Sequence, residues 1–162
     1  MADELTSRRA TEADAAAIAR VYNEGIEDRV ATFETDLRTA DDVHGWFARR
    51  HPIVVDERAR EVVAFAASSP TSSRCCYAGN AEFSVYVARA ARRRGAGRLA
   101  MNALLDEARA AGFNKLVSGV FTDNAASRAL LRDLGFRELG THERHGKLDG
   151  AWRDVIVVER LL

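Results

Sequence analysis

Hydrophobic residues recur along this chain at two spacings, one typical of helices and one typical of strands. Ile18, Val21, Tyr22 and Ile26 recur at helical spacing, which predicts the buried face of a helix. Residues 81–87 instead alternate between apolar and polar side chains, which predicts a strand with one buried face. The chain therefore combines both kinds of element.

Glycine, proline and polar clusters divide these patterns into a regular succession of elements. In chain order the sequence predicts a helix after Thr11, a helix from about Thr39 to before Pro52, strands at 53–56 and 61–68, a loop at 69–80, a strand at 81–87, a helix at 95–111, a strand at 115–121, a helix at 124–134 and strands at 136–143 and 152–160. The first two strands and their short turn form a hairpin, so part of the sheet must be antiparallel. This alternation predicts one α/β domain over residues 1–162, with a mixed sheet covered by helices.

Composition and charge remove several classes of function. The 162 residues carry 24 Lys and Arg against 24 Asp and Glu, so no overall charge draws the chain to nucleic acid or to anionic lipid. Met1–Arg9 lacks the basic stretch followed by an apolar stretch that is typical of a secretory leader. No apolar run in the sequence approaches the roughly 20 residues that a membrane span needs. A cytoplasmic protein is therefore expected. Cys75 and Cys76 are adjacent, which is too close for a relaxed disulfide, and no third soft ligand stands near them, so no metal site is expected.

Residues 85–98 are the most informative segment, because a strand there runs into a turn rich in arginine and glycine that begins a helix. Unpaired N–H groups and the helix dipole favour an anion at a helix N-terminus, and glycine lets a phosphate come close. The residues of this candidate phosphate-binding turn and the strand before it are Val85, Val87, Arg92, Arg93, Arg94, Gly95, Ala96, Gly97 and Arg98. A solvated basic helix start is the alternative interpretation. The segment is neither a Walker loop nor a dinucleotide fingerprint, since the required Gly-Lys-Ser/Thr and third glycine are missing.

The turn Arg92–Gly97 resembles the R-x-x-G-x-G/A signature of the GNAT acyl-CoA N-acyltransferases. Asn124 and Ser127, followed by Leu134–Phe136, are similar to a second element of that family. The resemblance implies a GNAT fold with a mixed, mostly antiparallel sheet and acetyl-CoA as co-substrate. It also implies that the turn binds the coenzyme pyrophosphate and that Asn124 and Ser127 lie along the coenzyme arm. A plain helix cap would explain Asn124 equally well.

Further segments resemble the phosphinothricin N-acetyltransferase branch, which also contains arsinothricin and methionine sulfoximine acetyltransferases. These segments are Arg9–Asp14, Tyr22–Ile26, Thr32-Phe33, Ala81–Val87, His145–Lys147 and Trp152–Val155. The resemblance implies a homodimer and direct acetyl transfer to the α-amino group of a small acidic amino-acid analogue, which confers resistance to it. An acetyltransferase for a protein N-terminus or a polyamine, and a catalytically silent acyl-CoA-binding module, are the alternatives.

Glu82 is the candidate general base. An α-amino group has a pKa of about 8, so at neutral pH it must lose a proton before it can attack a thioester. Glu82 stands on the polar face of an otherwise apolar strand, shortly before the phosphate-binding turn. The resemblance implies the same role, and an edge-exposed or ion-paired glutamate is the alternative.

The loop at 69–80 is the candidate substrate loop. By resemblance, Arg74 and Tyr77 match positions that hold the acidic group of the substrate, and the planar fork of arginine suits an oxyanion. A second basic residue of the relatives is Ser72 in this chain. That difference weakens the prediction of phosphinothricin itself.

Two more positions are candidate substrate contacts, and one expected group is missing. Phe33 would line the apolar side of the pocket or belong to the core, and His145 would face the substrate or belong to a turn. Leu131 stands where many relatives carry a proton donor for the leaving thiolate. The sequence therefore predicts no general acid at that position.

Overall fold

The structure is a computed structural model that describes residues 4–162. The first three residues of the N-terminal segment, in which no leader is expected, lie outside the described residues. The strands are β1 (Thr6–Arg9), β2 (Ile53–Arg58), β3 (Glu61–Pro70), β4 (Asn80–Val87), β5 (Lys115–Phe121), β6 (Arg137–Leu148) and β7 (Ala151–Leu161). The helices are α1 (Ala15–Asp28), α2 (Ala40–His44), α3 (Ala96–Ala110) and α4 (Ala125–Asp133), and short 3₁₀ turns lie at Glu12–Asp14, Gly45–Ala48, Cys75–Tyr77 and Arg89–Ala91. Within residues 4–162 no helix combines the length and apolar character that a membrane crossing requires.

The seven strands form one sheet in the order β1-β2-β3-β4-β5-β7-β6. All neighbours are antiparallel except β4 and β5, which run parallel. Their pairing is short, since it joins Asn80–Glu82 to Lys115–Val117 and then stops. Across the start of the resulting gap, the hydroxyl of Ser118 donates to the carbonyl of Phe83 over 2.9 Å. The predicted mixed, mostly antiparallel sheet is confirmed.

Helices cover both faces of the sheet. α3 packs on one face, where Met101, Leu104 and Leu116 are fully buried. α1 and α2 pack on the other face, where Ile18 and Phe65 are fully buried. Because strand residues alternate between faces, neighbouring residues of β4 serve the two cores in turn. The polar side chains of β4 therefore reach the α1 face.

The predicted start of the first helix is confirmed in detail. The N–H of Thr11 donates to the carboxylate of Asp14 over 2.8 Å, which satisfies a group that would otherwise lack a partner. Arg8 binds the same carboxylate through two hydrogen bonds of 2.8 Å each. These hydrogen bonds from Arg8 are the main cause that lowers the pKa of Asp14.

Two elements at the start of the chain differ from the prediction. β1 was not predicted, because the residues of Thr6–Arg9 are all polar and show no alternation, and only backbone pairing with β2 defines the strand. The second helix ends at His44, and a 3₁₀ turn over Gly45–Ala48 replaces its last part. Trp46 and Phe47 still pack against the α1 core, so the predicted apolar face is kept.

The last hairpin is longer than the sequence predicts. The turn contains only Asp149 and Gly150, with φ angles of 50° and 79°, so His145 lies inside β6 rather than in a loop. β6 is an edge strand with almost every residue exposed, so no alternation of buried positions marks it. Its pairing with β7 is interrupted by a bulge, because residues 143–145 face the single residue Asp154.

One acidic side chain lies inside the core. Asp56 on β2 is 0 % exposed, and among residues 4–162 neither carboxylate oxygen has a hydrogen-bond partner in good geometry. Burial raises the pKa of Asp56 to about 6, and the nearby Ser7 hydroxyl and Ala100 backbone oppose this shift only in part. The carboxyl therefore resists ionisation in the folded chain.

Candidate active site

A cavity of about 730 Å³ is lined by residues of both β4 and β5 where these strands separate. Six residues predicted from the sequence line it, namely Phe33, Glu82, Val85, Asn124, Ser127 and His145. The other predicted residues lie outside this lining, namely Arg74, Tyr77, Val87 and Arg92–Arg98. Several lining residues were not assigned to the site from the sequence, among them Tyr22, Glu34, Tyr86, Ser118 and His142.

Glu82 projects from the central strand at the last position where β4 and β5 pair. It lies opposite Val117 of β5 and opposite Ser69 of β3. Its side chain is exposed to the cavity, and within the described residues it forms neither an ion pair nor a hydrogen bond. The carboxylate is therefore available to accept a proton from a molecule in the cavity.

The end of β4 leaves backbone groups unpaired. The carbonyl of Phe83 points toward β5, since it accepts the hydroxyl of Ser118. Because backbone groups alternate in direction along a strand, the N–H and C=O groups of Val85 and Val87 also point toward β5. Pairing with β5 has already stopped there, and the Val87 carbonyl accepts from Nε of Arg92 over 3.1 Å instead. The N–H of Val85 therefore faces the gap without a strand partner.

The two glycines at the start of α3 serve different purposes. Gly95 is the N-cap and has a φ of 87°, a conformation that residues with a Cβ rarely adopt. Gly97 is predicted to leave room for a phosphate, and it also lies close to two other elements, since a Cβ there would lie 3.3 Å from Leu130 and 3.5 Å from Val87. Gly97 therefore allows close packing of α3 against α4 and β4. No side chain caps the first turn of α3, so its N–H groups are available to an anion.

Two arginines beside this turn are already paired with α1. Arg89 and Arg92 lie 2.9 Å and 2.6 Å from the carboxylate of Asp28. Burial opposes the ionisation of Asp28, but the hydrogen bonds from both arginines outweigh it and lower the pKa of Asp28. Arg92 thus anchors the turn to α1 while part of its charge is neutralised.

The remaining arginines of the turn differ in whether they form an ion pair. Arg98 pairs with Asp133 of α4 over 3.0 Å. Arg93 and Arg94 are exposed and have no acidic partner in the part of the chain that the structure describes. Arg93 has a φ of 62°, which marks the tight turn before the helix. Arg93 and Arg94 therefore supply unneutralised positive charge next to the uncapped helix.

The start of α4 forms another part of the cavity. The Asn124 side-chain oxygen accepts the N–H of Ser127 over 3.2 Å, and its amide donates to the carbonyl of Val30 over 3.4 Å. Asn124 is therefore a helix cap and a lining residue at once. Leu131 also lines the cavity, so the predicted position of a general acid holds no proton donor.

The predicted substrate loop borders the cavity only through its first residues. Ser69 and Thr71 belong to the lining. Arg74 and Tyr77 are exposed, and the guanidinium carbon of Arg74 lies 5.3 Å from the centre of the Tyr77 ring. The two predicted side chains contact each other and lie outside the cavity lining.

Phe33 combines the two roles that the sequence left open. Its ring meets the ring of Phe121 edge-on, with 4.8 Å between the centres, and packs in a small cluster with Leu148 and Val155. A Cβ on Gly146 would lie 2.8 Å from this ring. Phe33 is therefore a packed side chain that also lines the cavity.

Two tyrosines on the α1 side complete the aromatic lining. The rings of Tyr22 and Tyr86 lie 4.9 Å apart, and Gly25 of α1 leaves room for them, because a Cβ there would lie 2.5 Å from Tyr86. Burial is the main cause that raises the pKa of both tyrosines, and a hydrogen bond with Thr32 opposes it in part. Both hydroxyls therefore stay neutral near pH 7.

Two histidines of β6 lie together in the lining. The rings of His142 and His145 stack with 4.5 Å between centres and 18° between planes. Residues three apart in a regular strand would point to opposite faces. The bulge changes this, because Arg144 has a φ of 48° and its N–H donates to the carboxylate of Asp154 over 2.7 Å. His145 thereby returns to the side of His142.

Sequence reasoning could have found part of what it missed. Tyr86 shares the polar face of β4 with Glu82, and that shared face was a usable signal. Tyr22 was assigned to the core from its helical spacing, which does not tell a core from a cavity wall. For His142 the sequence contains no comparable signal, because the bulge that pairs it with His145 depends on Asp154.

A sheet that separates between two central strands, an uncapped helix after the first of them and a free carboxylate beside the gap together define an acyl-CoA-dependent transferase. Residues 18–136 match the model of the acetyltransferase (GNAT) family. The chain belongs to that family. The fold and the resemblance predicted from the sequence are confirmed.

Similar proteins cover nearly the whole chain. The phosphinothricin N-acetyltransferase of Streptomyces coelicolor is 30% identical, over 98% of this chain and 97% of the relative. The L-methionine sulfoximine/L-methionine sulfone acetyltransferase of Salmonella typhimurium is 31% identical, over 96% of this chain and 93% of the relative.

Solved structures agree with these relatives. The ribosomal-protein-alanine N-acetyltransferase of Brucella melitensis has a TM-score of 0.92 at 35% identity, over 97% of this chain and 99% of the other. A GNAT phosphinothricin acetyltransferase of Sinorhizobium meliloti in complex with acetyl-CoA has a TM-score of 0.90 at 28% identity, over 98% and 88%. Acetyl-CoA as the co-substrate is thereby confirmed.

Proposed function

We propose that this chain transfers the acetyl group of acetyl-CoA to the α-amino group of a small amino acid of the phosphinothricin or methionine sulfoximine type. The observation that carries the proposal is the unpaired Glu82 carboxylate, which lines the cavity where β4 leaves β5. The names of the relatives support the substrate class. Acetylation removes the free amine of such an analogue and so confers resistance to it.

Acetyl-CoA is assigned to the gap and to the start of α3. The uncapped N–H groups of α3 suit the pyrophosphate, and the exposed Arg93 and Arg94 add positive charge beside them. The unpaired N–H of Val85 suits the thioester carbonyl. The other residues assigned to the cofactor are Val87, Arg92, Gly95, Ala96, Gly97, Arg98, Asn124 and Ser127.

Glu82 starts the reaction by taking a proton from the ammonium group of the substrate, directly or through water. The neutral amine attacks the thioester carbonyl, a C–N bond forms, and the N–H of Val85 stabilises the negative charge that develops on oxygen. The C–S bond then breaks, the electron pair leaves with sulfur, and the extra proton of the attacking nitrogen passes to water, which leaves a neutral amide. Because Leu131 donates no proton, the thiolate leaves unassisted, which is tolerable because a thiolate is a weak base compared with an amide anion or an alkoxide.

Direct transfer without a cysteine-linked acyl-enzyme is supported by the placement of the two thiols. Cys75 and Cys76 are exposed and lie outside the cavity lining.

The substrate side chain is assigned to the lining that contains Phe33. Arg74 and Tyr77 belong to the loop whose first residues, Ser69 and Thr71, line the cavity, and the positive charge of Arg74 attracts an anionic substrate.

The test is a comparison of acceptors with the purified protein and acetyl-CoA. Release of free thiol and the mass of the product are measured with phosphinothricin, methionine sulfone and a peptide that begins with alanine. We expect both amino acids to be acetylated on nitrogen. The likeness to a ribosomal-protein-alanine N-acetyltransferase favours a protein N-terminus as the second candidate. Acetylation of the peptide alone would establish that candidate, and binding of acetyl-CoA without any turnover would establish a silent module.

Assembly and location belong to the same proposal. The resemblance to the phosphinothricin branch supports a homodimer that works in the cytoplasm. Sedimentation equilibrium of the purified chain tests the assembly, since a monomer at all concentrations would contradict it.

A further inference from the structure

We propose that His142 and His145 together form the subsite that binds the oxo group at the end of the substrate's side chain. The proposal rests on the proposed function, because it concerns the far end of the same amino acid. Phosphinothricin ends in a phosphinate and methionine sulfone in a sulfone. Both present a tetrahedral atom whose oxygens accept hydrogen bonds.

The charges that line the cavity point to the histidines. Within the described residues, the lining contains the carboxylates Glu34 and Glu82 but no lysine or arginine. Ionised carboxylates accept hydrogen bonds and repel a phosphinate. His142 and His145 are therefore the only lining side chains in residues 4–162 that can carry positive charge.

Both rings are available to a ligand. His142 and His145 are exposed, and among residues 4–162 no ring nitrogen of either forms a hydrogen bond or an ion pair. The nearly parallel planes bring the edges of the rings alongside each other at 4.5 Å. Two N–H donors can thus reach two oxygens of one tetrahedral group, as the fork of an arginine does.

Electrostatics favours an oxo group at this place. Each ring carries at least one N–H donor, and the two rings lie 4.5 Å apart. An anionic phosphinate between the rings can therefore accept from both, and it finds no other cationic side chain among the described lining residues. A sulfone has partial negative charges on its oxygens and gains the hydrogen bonds alone, so its binding depends on the pair less strongly.

The position of the pair fits a substrate whose amine lies near Glu82. His142 is opposite Val155 of β7, which in turn is opposite Phe121 of β5. Glu82 belongs to β4, on the other side of β5. The base and the histidines thus line one cavity from two sides, and the apolar Phe121 and Val155 between them suit the methylene groups of the substrate.

Methionine and methionine sulfone are the probes, because they share the amine and the carbon chain and differ only in the two sulfone oxygens. kcat/KM is measured for both with the wild type and with the double variant His142→Phe/His145→Phe, which keeps stacked rings but has no N–H donor. We expect the ratio of sulfone to methionine to fall by about 10-fold to 100-fold, mainly through KM, while methionine changes by less than about twofold. Phosphinothricin should lose more than the sulfone.

Matched variants guard against indirect effects. His44→Phe makes the same change at an exposed histidine outside the cavity lining and should leave the ratio unchanged. The single variants His142→Gln and His145→Gln keep an N–H donor and should lose only part of the preference, which supports the proposal even where the double variant folds poorly.

The outcomes separate this proposal from the proposed function. An equal loss for methionine and its sulfone means that the histidines only shape the cavity, and an unchanged ratio means that they do not bind the oxygens. Either result overturns the subsite while wild-type turnover upholds the proposed function. Turnover of none of the three amino acids by the wild type overturns both.

Discussion

Removing the charge of one buried carboxyl should change how the stability of this protein depends on pH. Asp56 is 0 % exposed and, among residues 4–162, has no hydrogen-bond partner in good geometry for either oxygen. The variant Asp56→Asn keeps the size and polarity of the side chain but cannot ionise. Any difference in pH dependence between the two proteins therefore reports the titration of this one group.

The sign and the size of the effect follow from the pKa values. Burial raises the pKa of Asp56 from 3.8 to about 6 in the folded chain. Between these values the unfolded chain releases the proton while the folded chain keeps it, so the free energy of unfolding decreases as pH rises. The contribution is favourable below about pH 4 and is lost by about pH 6, and a shift of about two units corresponds to about 3 kcal/mol.

The assay is urea unfolding of the wild type and of Asp56→Asn from about pH 4 to about pH 8, followed by tryptophan fluorescence. From about pH 4 to about pH 8, the free energy of unfolding of the variant should rise relative to that of the wild type by about 2 to 3 kcal/mol. Most of this change should occur below about pH 6. Asp14→Asn is the matched control with the opposite sign. The pKa of Asp14 is lowered by Arg8 from its ordinary value of 3.8, so its stabilising effect is present above about pH 4 and is lost only as pH falls below that value. The urea series for this control is therefore extended to about pH 2.

A difference between wild type and Asp56→Asn that stays constant across this range would refute the reasoning. It would mean that Asp56 ionises in the folded chain as readily as in the unfolded chain. The absence of hydrogen-bond partners would then have no energetic consequence at this position.

Three other substitutions test the proposed site. Glu82→Gln should lower kcat about 100-fold at neutral pH while acetyl-CoA binds unchanged in calorimetry, and a near-normal rate would move the role of base to another group. Gly97→Val should lower the free energy of unfolding by about 1 to 3 kcal/mol, because the new side chain meets Leu130 and Val87, and an unchanged urea midpoint would contradict that packing. Arg74→Ala should lower kcat/KM for phosphinothricin several-fold, more at low salt, and leave methionine sulfone unaffected, whereas an equal loss for both would indicate a structural role.

Much of the fold could be predicted because its helices and inner strands carry clear apolar patterns. β5 begins and ends at the predicted residues, Lys115 and Phe121, and it lies between other strands with Leu116, Val120 and Phe121 buried. β1 and the second half of β6 lie at the two edges of the sheet, where exposed side chains follow no pattern and only backbone pairing defines the strand. The sequence is therefore least informative at the edges.

The residues of the candidate site also divide into those that a local sequence pattern indicates and those whose placement depends on distant parts of the chain. Glu82 could be predicted because it interrupts an apolar strand with a charge, and Gly95 because glycine favours the conformation that the turn requires. The partners of the arginines could not be predicted, since Asp28 and Asp133 come from distant helices. The stacked histidines were hidden for a similar reason, because a bulge fixed by another strand sets their orientation.

The short pairing of β4 with β5 makes the centre of the sheet its weakest line. Three rungs and the Ser118 hydrogen bond join β1–β4 to β5–β7 there, while longer pairings hold the strands within each half. A molecule that lies in the gap contacts both halves of the sheet. Its contacts replace the backbone pairing that is missing between β4 and β5. Its binding free energy then adds to the resistance of the chain against unfolding. Cofactor binding thus stabilises the sheet at the line where its strands are paired over the fewest residues.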